Sequence, residues 1–404
     1  MRDDRNPFVV RQLARGRRFA DREAEVARIA AAFRDPGGGL IVFGPRRMGK
    51  SSALERASEL VRAEGGHVAI ASLATATDPQ DAARRVLEAI HVEVGKSGRE
   101  IIEAIAGRLR AGIEIRPTLD PGGVPSIRFD FGLGDQLERV RVLPDVLDAV
   151  DAEMRRRGIT LGIGLDEFQR IHEWGGEDAE WALRDAMQRQ ESIAYVLAGS
   201  ERGLIEAMIG DRGRAFWKLF DPMPFGPIHD EVLAEWIHQE SAPAGVRFDL
   251  ETADRIVQLA RPRTRDVVQL ARETWSLCET AGVATGADVD RAFEAIVDGQ
   301  AALYQKLWSS FPAAQQRVLR AIAAEPRLPL TSRESLRRFD LGPKSTAHRS
   351  AEVLVQREHL ATLEPGGYAF DDPYFGRWVQ RYTLADIGYP TPPLPARARS
   401  DEAQ

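Results

Sequence analysis

The chain has 404 residues, enough for two or three domains, with 43% hydrophobic and 29% charged residues. That composition excludes a disordered chain, a collagen-like repeat and a small disulfide scaffold. The single cysteine, Cys278, excludes an intrachain disulfide and a cysteine-based zinc site and points to a reducing, cytoplasmic setting. The longest apolar runs, such as residues 193–198, fall far short of the roughly 20 residues that span a bilayer, and the N-terminus has no apolar signal core. Net charge is −6 but unevenly placed. Residues 1–20 and residues 304–382 each carry +4, so the remainder carries −14 and only the two ends suit an anionic partner.

A Pro/Arg-rich arm leads into a helix in which Val26, Ile29 and Phe33 recur at helical spacing. After the breaker at residues 35–39, Leu40-Ile41-Val42-Phe43 is a wholly apolar run of the kind buried on both faces of a parallel sheet. A helix over 50–64, a strand over 67–73 and helical sequence over 78–109 follow. Residues 113–132 break the pattern by alternating apolar and polar residues around Pro121-Gly122-Gly123, which predicts an inserted hairpin. A helix over 143–157 and strands over 159–165, 194–198 and 223–228 complete an alternation that predicts an α/β domain over 1–229, with a parallel sheet covered by helices. Residues 230–308 read as wholly helical, 309–382 as a small separate domain, and 383–404 as a flexible, frayed tail.

Gly44-Pro45-Arg46-Arg47-Met48-Gly49-Lys50-Ser51 fits G-x-x-x-x-G-K-[ST], in the context the motif requires: after an apolar strand and at the start of a helix. Gly44 and Gly49 let successive N–H groups turn toward phosphate oxygens, and the helix N-terminus adds partial positive charge. Lys50 would meet the outer phosphates, and the Ser51 hydroxyl suits Mg²⁺, which takes oxygen ligands. The spacing is not that of a dinucleotide fingerprint. The apolar run that ends Leu165-Asp166-Glu167 supplies the carboxylates such a site needs: Asp166 for the metal, and Glu167 as the base that orients water. Ser200, at the tip of the strand over 194–198, is a candidate contact to the γ-phosphate or the water, or a plain helix cap. Arg212, Arg214, Arg263 and Arg265 are candidates for a guanidinium facing the transferred phosphoryl group; for each, a solvated surface arginine is the competing reading.

These motifs resemble the archaeal-type ATPase family, a branch of the AAA+/STAND P-loop ATPases. The likeness is carried by Asn6-Pro7-Phe8, Phe19, Arg22-Glu23, the loop from Phe43 through Ser51 to Ser52, Leu165-Asp166-Glu167-Phe168-Gln169, Gly199-Ser200 and Arg214, and it spans most of residues 6–382. The resemblance implies an ATP and Mg²⁺ site between a P-loop sheet domain and a helical lid, followed by a C-terminal winged helix. It implies Asn6–Phe8 and Arg22 near the adenine. The residues themselves read as a site of slow ATP hydrolysis that drives a conformational switch, with ATP or ADP as partner and Arg214 a candidate for catalysis. The lid departs from the family where Gly-x-Pro is replaced by Ala260-Arg261-Pro262-Arg263, and Asp21 stands where glycine is frequent.

In the last domain, helices over 312–323, 332–339 and 345–356, the third capped by Ser345, precede two short strands over 360–363 and 368–370. That pattern is a winged helix, with Lys344, Thr346, His348 and Arg349 leading the helix that would enter a DNA groove. The modest +4 and the nearby Glu352 and Glu358 favour a protein-packing role over DNA contact. Three functions therefore stand: an ATP-dependent switch, able to form a nucleotide-dependent homo-oligomer; an ATP-regulated DNA-binding protein of the origin-recognition or transposition type; and a nucleotide-held scaffold with slow turnover.

Overall fold

The computed structural model describes residues 6–10, 19–94, 98–109, 113–119, 125–131, 136–326, 328–363 and 367–395. The basic residues of the N-terminal arm, the hairpin turn expected at 121–123 and the last nine residues lie outside these. Contacts divide the chain into two compact units, residues 22–226 and residues 1–21 with 227–404.

The first unit is built on five parallel strands in the order β2-β5-β6-β1-β7. These are β1 (Gly39–Phe43), β2 (His67–Ser72), β5 (Leu161–Asp166), β6 (Ile193–Gly199) and β7 (Asp221–Pro224). β5 and β6 are buried along their whole length, which is why their sequences are continuous apolar runs rather than alternations. Helix α1 (Glu23–Ala32) covers one face. Phe33, which caps it, presses so closely on β5 that a Cβ at Gly162 would lie 2.9 Å from its ring. β7 tolerates Pro222 and Pro224 because it is the edge strand and pairs only with β1. It begins two residues earlier than the sequence pattern suggests.

Helix α2 (Lys50–Ala63) follows β1, and α3 (Pro79–Val94) and α4 (Gly98–Arg108) replace the single helical stretch read from sequence. The inserted hairpin is present as β3 (Ile113–Leu119) and β4 (Pro125–Phe131), paired antiparallel. Helix α5 (Gln136–Arg157) starts earlier than expected and runs through Pro144. Helix α6 (Arg170–Arg189) is broken at Gly176, whose φ is 57°. Helix α7 (Arg202–Gly210) follows β6.

The second unit is helical: α8 (Asp230–Ser241), α9 (Leu250–Ala260), α10 (Thr264–Cys278), α11 (Gly286–Gly299) and α12 (Ala301–Ser310). It continues through a winged helix of α13 (Ala313–Ala324), α14 (Arg333–Arg338), α15 (Lys344–Gln356), the wing strands β8 (Leu360–Thr362) and β9 (Tyr368–Phe370), and α16 (Pro373–Thr383). Ser345 lies inside the first turn of α15 and caps nothing; the N-cap position belongs to Pro343. One apolar cluster runs through the whole unit, from Phe8 to Trp275, Phe293, Trp308 and Trp378. Ion pairs reinforce it: Arg377 and Arg381 hold Glu294, and the buried Arg263 holds Asp371.

Two segments depart from their expected places. Asn6 to Phe8 group with this unit and not with the sheet, because Phe8 is fully buried beside Phe248 and Trp236. The tail is fastened as far as residue 395. Tyr389 donates to Glu325, and the carbonyls of Pro392 and Pro395 accept from Arg377 and Arg255.

Candidate active site

The parallel sheet aims the C-terminal ends of β1, β5 and β6 at one edge, and the sequence places its polar residues there. β6 lies between β1 and β5, so Ser200 follows the strand between the loop and the acids. The loop turns where the chain needs it to. Gly49 has φ 97°, and Arg47 has φ 66°. At Gly44 the constraint is space: a Cβ would sit 2.1 Å from the carbonyl oxygen of Phe225. Phe225 is itself anchored, its N–H donating to Phe43 at 2.7 Å. Met48 is buried, while Arg46 and Arg47 are exposed. Helix α2 then starts at Lys50 with no side-chain cap, so its first N–H groups face the loop.

Lys50 is only 6% exposed, and its Nζ donates to the carbonyls of Gly44 and Pro45 at 2.6 and 2.7 Å. Ser51 Oγ donates to Asp166 Oδ2 at 2.6 Å, which joins the loop to the tip of β5. Asp166 Oδ1 accepts from the Glu167 N–H at 3.0 Å. Burial pushes the Asp166 carboxyl above its ordinary range, and Glu167 adds to this. The Ser51 hydroxyl, the Glu167 N–H and the Lys50 charge pull the other way. Glu167 has φ 57°, and its Oε2 accepts from Ser200 Oγ at 2.7 Å and from Gln169 Nε2 at 2.5 Å. Arg46 Nε donates to Ser200 Oγ at 3.2 Å. The loop, both acids, Ser200 and Arg46 thus form one hydrogen-bonded cluster.

Other predicted residues go elsewhere. Arg214 embraces the fully buried Glu180, which also meets His172 Nδ1 at 2.7 Å. Arg263 is 3% exposed and committed to Asp371, its Nε donating at 3.0 Å. Arg265 is exposed, and Arg212 stacks over Trp217. Asn6 donates to the Arg272 carbonyl at 3.1 Å and accepts from the Phe8 N–H, inside the helical unit. Pro7 is buried beside it. Arg22 belongs to the sheet unit; it stacks 4.2 Å over Phe225 and donates to the Gly226 carbonyl.

Two features escaped the sequence reading: the role of Gln169, whose only signal is that it follows the acids directly, and the Gly44–Phe225 approach, which has no local signal.

Residues 302–381 match the family model described as "Probable winged helix domain". No curated protein sequence matches the chain. Among solved structures, the Walker-type ATPase of Pyrococcus abyssi is similar over 93% of this chain and 99% of its own, at 17% identity and a TM-score of 0.62. The ORC2 protein of Aeropyrum pernix, solved as ADPNP-ADP complexes, is similar over 95% and 98%, at 15% identity and a TM-score of 0.58. The ORC1 protein of the same organism, solved in complex with DNA, is similar over 95% and 98%, at 14% identity and a TM-score of 0.50. The fold is therefore that of the P-loop ATPases of the ORC and Walker type, with a C-terminal winged helix. Among the described residues, no helix is long and apolar enough to cross a membrane.

Proposed function

We propose that the chain binds and slowly hydrolyses ATP with Mg²⁺, and that it works as a nucleotide-dependent conformational switch. The observation that carries this reading is the 2.6 Å contact between Ser51 and Asp166, beside the buried Lys50. A hydroxyl and a buried carboxylate side by side are a hard-oxygen donor pair that fits Mg²⁺. The desolvated Asp166 gains from a cation next to it. Gly44 cannot carry a side chain, and Gly49 needs left-handed backbone, as a loop that presents its amides requires. In this reading, backbone amides from Gly44 to Ser52 hold the phosphates and Lys50 neutralises their charge. Ser51 and Asp166 would hold the metal, which would supply positive charge to offset that of the phosphates. Glu167 orients the attacking water, with Ser200 beside it. Arg46 and Arg47 border the same site.

Arg214 has a poorer case for acting on a nucleotide in its own chain, since its guanidinium is spent on Glu180. Asn6, Pro7, Phe8 and Arg22 support an adenine pocket only by resemblance. A cytoplasmic setting fits the lone, buried Cys278. Self-association is tested by sizing the protein with and without ATP.

The decisive experiment compares ATP binding and hydrolysis of the parent with Lys50→Ala. We expect a fall of about 10²- to 10³-fold in kcat/KM; equal activity in the two proteins removes the proposal.

One observation favours a second reading, ATP-regulated DNA binding: α15 exposes Lys344, Thr346, His348 and Arg349 on one helix of the winged fold. His348 is paired with Glu352 at 3.2 Å, which tempers the charge of that face. Salt-dependent binding to duplex DNA that is lost in a Lys344→Ala/Arg349→Ala double variant supports it, and no binding at low salt excludes it. If the winged helix packs on a protein instead, ATPase activity is indifferent to DNA.

A further inference from the structure

Gln169 occupies the N-cap position of α6 but makes no cap: its side chain does not turn to the helix. It turns back toward the strand tips, where it is 1% exposed. Its Nε2 donates to Glu167 Oε2 at 2.5 Å and lies 3.4 Å from Ser200 Oγ. Its Oε1 is buried with no hydrogen-bond partner among the described residues. Room for this amide exists because residue 199 is glycine: a Cβ there would come 2.4 Å from Gln169 Oε1 and 2.2 Å from Ile205 Cδ1. A buried amide oxygen without a partner is costly. An apolar side chain would fill the same space without that cost, so packing does not explain a glutamine here.

A glutamate side chain has three free torsions, and a base must meet its water in one geometry. Here the donors Ser200 and Gln169 reach the same oxygen, Oε2, from two different chain segments. That holds one carboxylate oxygen from two sides. We propose that Gln169 is a positioning residue for Glu167, and that Gly199 is glycine to admit it. This rests on the reading of Glu167 as the base of an ATPase.

The test uses the full chain in single-turnover hydrolysis of radiolabelled ATP, with ATP affinity measured separately. Gln169→Ala is expected to lower the hydrolysis rate about 10- to 100-fold, the worth of one hydrogen bond to a charged group. ATP affinity should stay within about twofold, because Gln169 touches the base and not the phosphate loop. Gly199→Ala, which displaces the same amide without removing it, should lower the rate in the same direction. In a Glu167→Gln background, Gln169→Ala should cost nothing further, because the group it positions is already disabled. An unchanged or faster rate in Gln169→Ala overturns the proposal, as does the same fractional loss in the Glu167→Gln background. A parent chain that fails to hydrolyse ATP overturns instead the ATPase reading beneath it, so the two failures are told apart.

Discussion

Acidic residues in this molecule are held in two ways. At the strand tips, Asp166 accepts from a serine hydroxyl and a backbone N–H, and Glu167 from a serine hydroxyl and a glutamine amide. Behind the sheet edge, Glu180 accepts from the guanidinium of Arg214, and in the helical unit Asp371 accepts from that of Arg263. Neutral donors fix a carboxylate's position while leaving its charge for something else, whereas a guanidinium consumes both. The first arrangement suits a cation-binding, water-orienting site, and the second suits architecture. Two of the arginines that the sequence offered for catalysis, Arg214 and Arg263, are the donors in the second arrangement.

Substitutions that remove charge should therefore act in opposite directions in the two regions. The largest effect is expected at Glu180. Glu180→Gln leaves Arg214 and His172 without their shared buried partner and should cost about 3 kcal/mol of unfolding free energy, read from urea denaturation. Asp371→Asn weakens the clasp between the start of α10 and the end of the wing. Because Asp371 is partly exposed, the cost should be smaller, about 1.5 to 2 kcal/mol. At the strand tip the sign reverses: Asp166→Asn removes a desolvated charge and should raise the melting temperature of the nucleotide-free protein while it abolishes Mg²⁺-dependent hydrolysis. A loss of stability there, equal to that at Glu180, would break the distinction.

The division also explains what could be read from sequence. The positions of the loop after β1, of the acidic end of β5 and of Ser200 were legible because parallel strands are written as apolar runs and their polar ends stand out against them. The winged helix was legible from helical periodicity and two short strands around a turn. Contacts between distant segments were not. Asn6 with Arg272, Gly44 with Phe225, Arg214 with Glu180 and Arg263 with Asp371 are separated by 34 to 266 residues, and no local pattern encodes them. Residues 383–395 hold contacts hidden in the same way. Their composition is that of a frayed end, yet arginines on α9 and α16 donate to their carbonyls. Gln169 carries no local signal beyond following the acids, because its contacts with Gly199 and Ser200 exist only in the folded sheet.

The smallest expected effect separates structural ion pairs from the site by pH alone. Glu153, buried near the end of α5, accepts from Arg156, Arg157 and Arg108. The Arg156 hydrogen bonds lead in lowering its pKa from 4.5 to about 2, burial opposes them, and Arg157 adds to the lowering. A carboxyl whose pKa is depressed by folding contributes stability above its unfolded value and loses it as pH falls toward its folded value. The contribution is therefore complete above about pH 5 and declines between roughly pH 4.5 and 2. Arg156 is more than half exposed, so solvent screening holds the worth of the cluster to about 1 kcal/mol. Glu153→Gln should be less stable than the parent by that amount at pH 7, and the gap in urea midpoints should narrow steadily from pH 5 to pH 3. A gap that stays constant with pH would mean that Glu153 acts through its shape rather than its charge, and the cluster would then stand outside the guanidinium-paired class.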